Sequence, residues 1–119
     1  MKWYLAKIVY RILCGDSYHT AQFDEQLRLI TADDEGEAFE KATAIGRNEA
    51  ETFYNQRQEL VEWRFVNVAE LYRLQELLDG AEVYSRITEV DDADGYIAFV
   101  HHKAAGIQQK SSHHLLNLI

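Results

Sequence analysis

A β-strand that is apolar on both faces leaves few folds open, and residues 2–13, KWYLAKIVYRIL, read as such a strand. One parity carries Trp3, Leu5, Lys7, Val9, Arg11 and Leu13. The other carries Tyr4, Ala6, Ile8, Tyr10 and Ile12. A strand of this kind must be covered on both sides, so it belongs inside a layered structure.

The next segment is different. Residues 20–31, TAQFDEQLRLIT, alternate between Ala21, Phe23, Glu25, Leu27 and Leu29 on one side and mainly polar residues on the other. That is a half-buried strand. Cys14 to Tyr18, CGDSY, supplies the turn between the two. A five-residue loop sets Leu13 opposite His19, Val9 opposite Phe23, Leu5 opposite Leu27 and Lys7 opposite Glu25. A slip of two residues would keep the faces and lose that ion pair.

Asp34 to about Asn55 carries Ala38, Phe39, Ala42, Ile45, Gly46, Ala50 and Phe53 at helical spacing, behind an acidic capping box of Asp34 and Glu37. Residues 60–69, LVEWRFVNVA, form a third strand, with Val61, Trp63, Phe65 and Ala69 on one face. Residues 70–79 fit either a short helix or a strand extension. Residues 81–89, AEVYSRITE, read as a fourth strand, and a second helix follows from about 93 to 108. The expectation is an α+β fold, an antiparallel sheet of about four strands in the order ββαββα with helices mainly on one face. Residues 1–109 make one domain, and 110–119 an apolar C-terminal tail.

Three stretches together resemble a bacterial family of small domains of unknown function, number 4288 in that series. They are WYLAKIVY at Trp3 to Tyr10, FDEQLRLITADDEGEAFEKA at Phe23 to Ala42, and FYNQRQELVEWRFVNVAELYRL at Phe53 to Leu74 followed by DGAEVYSRI. Glu25, Glu37 with Ala38, Tyr54 with Asn55, and Trp63, Arg64 and Phe65 are the matching positions. The resemblance spans roughly residues 3–90 and leaves the tail after Ala105 outside. It implies a fold outline and no catalytic residue.

Composition removes several functions. Twelve Lys and Arg against 20 Asp and Glu give a net charge of −8, with no basic cluster to displace phosphate counterions, so no nucleic-acid partner is expected. No apolar run approaches the roughly 20 residues of a membrane span. Lys7 and Arg11 interrupt what could pass for a signal peptide. The single cysteine, Cys14, excludes an intrachain disulfide and fits a cytoplasmic location.

Lys7 and Glu25 are the most informative pair, as a ligand anchor or as an ion pair fixing hairpin register. With Tyr10 and Trp63 they are the candidate ligand-binding residues, since aromatics beside a charged pair could line a pocket. Cys14 and His19 lie near each other in sequence but lack an orienting third group. His101 with His102, and His113 with His114, are adjacent pairs, so neither makes an i, i+4 metal clamp. Asp91, Asp92, Asp94 and Gly95 fail as a calcium loop, because the first and twelfth positions would be Val90 and His101. No cofactor or metal site is expected.

The apolar surplus on the first strand needs another cover, most simply a second copy of the chain. Tyr4, Ile8, Leu115, Leu116, Leu118 and Ile119 are the interface candidates. The expectation is a non-catalytic protein-interaction or regulatory module that forms a homodimer. The alternative is a small-molecule-binding domain or enzyme with a pocket near Lys7, Glu25 and the strand aromatics.

Overall fold

The computed structural model describes residues 1–15 and 20–118, with side chains as far as Lys110. In chain order the elements are β1 (Lys2–Cys14), β2 (Gln22–Ala32), α1 (Glu35–Asn48), β3 (Glu51–Tyr54), β4 (Leu60–Leu74) and α2 (Ala93–Leu118). The strands form one antiparallel sheet in the order β2-β1-β4-β3. The ββαββα order is the expected one; the strand expected at 60–69 is β4, while β3 was not foreseen and the strand expected at 81–89 does not form. The chain divides into two compact units, Met1–Ser85 and Arg86–Ile119.

β1 lies inside the sheet, between β2 and β4, which is where a strand apolar on both faces belongs. Its even parity faces α1. Tyr4, Ala6, Ile30 and Ala32 from the sheet form the core with Ala38 and Ala42 of the helix, flanked by Ile45, Val68 and Leu71. The helix presents Ala38, Ala42 and Gly46 to the sheet, one small residue per turn, and all three are buried. Its start is capped as expected. Asp34 Oδ1 accepts from the Glu37 amide at 2.8 Å, and Glu37 Oε2 accepts from the Asp33 amide at 3.2 Å.

The hairpin register differs from the expected one by two residues. Lys7 stands opposite Leu27 and Val9 opposite Glu25. The faces survive this slip because side chains repeat every two residues. Asp16 to His19, the heart of the proposed turn, lie outside the described residues.

The predicted helix to Asn55 stops at Asn48. Glu49 caps it, donating its amide to Ile45 O at 3.0 Å. Residues 51–54, ETFY, instead pair with β4, where Phe53 stacks on Trp63 at 5.9 Å. Asn55 closes the β3–β4 turn, its side-chain carbonyl accepting from the Arg57 and Glu59 amides at 2.9 Å each. β3 occupies the β4 edge that a strand at 81–89 would have needed, and residues 81–89 form no strand. The ambiguous stretch splits: residues 70–74 extend β4 and 75–79 are not helical.

β4 also breaks the simple alternation. Pairing with β1 shifts between Lys7 and Ile8 and again between Val9 and Tyr10, which leaves Ala69 and Val66 as extra residues. Val61, Trp63, Phe65, Val68 and Leu71 therefore share the α1 side, and Ala69, expected there, does not.

In the second unit the acidic turn serves as a helix start. Asp92 Oδ1 accepts from the Gly95 amide at 3.0 Å, and Asp92 O from the Tyr96 amide at 3.1 Å. α2 runs ten residues past the predicted 108, to Leu118. The side chains of Leu115, Leu116 and Leu118, and all of Ile119, lie outside the described residues. Among the described residues no helix is long and apolar enough to cross a membrane.

Candidate functional site

The structure separates the four candidate ligand-binding residues onto two faces of the sheet. Lys7 and Glu25 point away from α1, whereas Tyr10 and Trp63 point toward it. Lys7 pairs with Glu70 of β4 rather than Glu25, with Nζ 3.1 Å from Glu70 Oε2 and its side chain only 16% exposed. Glu70 could not be found by counting, because the bulge at Ala69 sets which β4 residue faces Lys7. Tyr84 comes from the irregular segment after β4. Its ring lies edge-on to Tyr72 at 5.9 Å, with Lys7 Nζ 5.9 Å from its centroid.

The hydrogen bond to Glu70 holds the Lys7 ammonium above its ordinary pKa, against the opposing effect of burial. Burial raises the Tyr10 hydroxyl, and burial followed by the Glu70 charge raises Tyr72. All three groups hold their protons more tightly in the folded state than in the unfolded chain. Their contribution is complete below the unfolded values, near ~10, and is lost as pH climbs through the raised folded values. Melting temperature should therefore fall steeply above about pH 10, and less steeply in Lys7→Met. A midpoint flat from pH 9 to 11 in thermal melts would contradict this.

On the α1 side, Tyr10 and Trp63 border an open cleft of about 750 Å³ at the C-terminal end of the helix. Gln26, Arg28, Glu49 and Phe53 complete most of its wall. Tyr10 donates its hydroxyl to Gly46 O at 2.8 Å, which ties β1 to the last turn of α1. A polar row runs along one side. Trp63 Nε1 and Gln26 Nε2 both donate to Asp24 Oδ2, at 3.1 and 2.7 Å. Arg28 donates to Gln26 Oε1 through Nε and Nη2, at 3.2 and 3.0 Å, and Arg28 Nη2 lies 2.6 Å from Glu49 Oε2. Five side chains thus link β4, β2 and the helix cap.

No serine, cysteine or histidine is among the described residues that line this cleft. Among the described residues no group of His, Cys, Asp and Glu could hold a metal. Cys14 is half-buried, with Asn55 Nδ2 3.7 Å from its sulfur. His19, its suggested partner, lies outside the described residues. The sequence pointed to Tyr10 and Trp63 as aromatics but gave no sign of Asp24, Gln26, Arg28 and Glu49, whose row depends on an every-other-residue run on β2 meeting the helix end.

Tyr4 and Ile8, proposed as interface residues, are buried beneath α1. The open apolar surface is on the opposite face, at Trp3, Phe23, Leu27 and Leu29.

A family model described as a domain of unknown function (DUF4288) matches residues 3–85. The match ends where the first compact unit ends, so it takes in the whole sheet and α1 and stops short of α2. No curated protein and no solved structure matches the chain.

Proposed function

We propose that this chain, which belongs to the DUF4288 family of domains of unknown function, is a non-catalytic interaction module that pairs with a second copy of itself through the sheet face opposite α1. One observation carries the reading. Phe23, Leu27 and Leu29 lie on that face of β2, with Glu25 between the first two, and are 55%, 48% and 53% exposed, with Trp3 of β1 beside Leu29. Large apolar side chains exposed together on one sheet face mark an interaction site more often than a free surface. β2 is also an outer strand of the sheet, so its backbone edge is open to a neighbour. Self-pairing is the simplest cover, because a two-fold contact sets the same leucines against each other. The net charge of −8 opposes indiscriminate association and leaves the apolar row as the attractive patch. A cytoplasmic setting accords with the single cysteine.

Light scattering at micromolar concentration should give twice the 13.8 kDa chain mass. Leu27→Glu with Leu29→Glu should return it to the monomer without altering the circular dichroism. A monomeric native chain would remove the proposal.

A second reading, a small-molecule-binding domain, is favoured by the cleft at Tyr10 and Trp63. Its polar groups converge on a concave, partly aromatic surface, as ligand sites require. It sits on the α1 face, away from the Lys7 and Glu25 position the sequence suggested.

A further inference from the structure

The cleft has a chemistry of its own, independent of the dimer. Its aromatic wall is the stacked pair Phe53 and Trp63, with planes 22° apart. Phe53 is exposed, so the pair is open to a ligand on the cleft side. Glu49 and Glu51 bring two carboxylates to the lining. Asp24 adds a third just behind it, held by the Trp63 indole N–H. Arg28, the one cation among the described lining residues, is engaged by Glu49 and Gln26. The C-terminal end of α1 opens onto the same space, and the helix dipole places a partial negative charge there.

Negative potential beside aromatic faces selects for a cation. The ring faces attract an ammonium or guanidinium group, and the carboxylates attract the same charge at longer range. An anion would meet two carboxylates and a helix C-terminus, beside an Arg28 whose charge is already paired with Glu49.

We propose that the cleft between the end of α1 and the Phe53–Trp63 pair binds an organic cation, an ammonium or guanidinium group carried on an apolar stem. The same chemistry comes from a free amine or from an arginine or lysine side chain of a partner peptide, and the experiment separates them.

Trp3 and Trp63 are the two tryptophans of the chain. Trp3→Phe, on the opposite face, leaves Trp63 as the sole reporter of the cleft. Its fluorescence is titrated with tetramethylammonium, with N-acetyl-arginine amide and with a short arginine-containing peptide, at constant ionic strength. Sodium acetate serves as the anion control. A saturable change is expected with the cations and none with acetate. Glu51→Gln, at the exposed start of β3, should weaken cation binding roughly three- to tenfold. Tighter binding by the peptide than by the amide identifies a protein side chain as the source; equal binding identifies a free cation. The proposal fails if no cation saturates the signal, if acetate does, or if Glu51→Gln leaves affinity unchanged. The oligomeric state of these variants is read separately, so a failure here is distinct from a failure of the dimer.

Discussion

Replacing Tyr10 by alanine should lower the unfolding free energy of the Met1–Ser85 unit by about 3–5 kcal/mol. The ring is 1% exposed and packs edge-on against Phe65 at a centroid distance of 6.1 Å. It is also the only polar tie described between β1 and the last turn of α1, through Gly46 O at 2.8 Å. Truncation leaves a cavity between sheet and helix and removes the donor from a carbonyl in one step. Tyr10→Phe separates the two contributions, since it keeps the ring and should cost only about 1 kcal/mol. A domain of this size has a total stability of about 5–15 kcal/mol, so the alanine variant sits near the edge of folding. Urea unfolding followed by the fluorescence of Trp3 and Trp63, both in this sheet, measures the difference. An alanine variant within ~1 kcal/mol of the native chain, well short of the usual aromatic truncation cost, would mean the ring is not packed in this way.

Gly46→Val should be the other severe change, at about 3 kcal/mol or more, the upper end of the usual overpacking cost. A Cβ at this position would fall against Phe65 Cε2, 2.7 Å from Phe65 Cδ2 and 3.1 Å from Ile8 Cγ2. Helix propensity favours replacing this glycine, by up to about 1 kcal/mol for alanine. The steric term is larger, so Gly46→Ala should still lose about 1 kcal/mol net, and the branched valine much more. Adding Phe65→Leu to Gly46→Ala should cost less than the two separate losses summed, because the residues meet at one contact. Alanine at native stability would show that the half-buried Phe65 ring swings aside freely.

Both predictions concern the junction where the cleft lies, and the sequence foreshadowed only part of it. Ala38, Ala42 and Gly46 belonged to the stripe at helical spacing that also held Phe39, Ile45, Ala50 and Phe53, and Asp34 with Glu37 marked the helix start, because helical spacing and capping are local properties. The helix end was not legible. Ala50 and Phe53 continue the same periodicity, yet residues 51–54 gain more by pairing with β4, a partner far along the chain. Losing those residues from the helix is what puts Phe53 against Trp63 and opens the cleft beside Glu49.

The Lys7 site failed for a related reason. Alternation sorted the β1 and β2 residues into two faces, so the candidate ion pair lay on a real surface. But the apolar face of β2, expected to be buried, is the exposed one, with Phe23, Leu27 and Leu29 55%, 48% and 53% exposed, while Asp24, Gln26 and Arg28 lie on the α1 side. Alternation could not fix the register, because Lys7 opposite Glu25 and Lys7 opposite Leu27 satisfy the same pattern. It could not place Glu70 either, since two bulges in β4 interrupt the count.

What the residues determined unaided was periodicity: the opening strand apolar on both parities, the alternating second strand and the helical stripe that follows the Asp34 cap. The pairing of edges was decided in three dimensions. Backbone amides and carbonyls are the same at every position, so a strand edge accepts whichever segment the packing brings to it. β3 took the place beside β4, residues 81–89 were left without a strand partner, and the two charged sites formed where those choices placed their side chains.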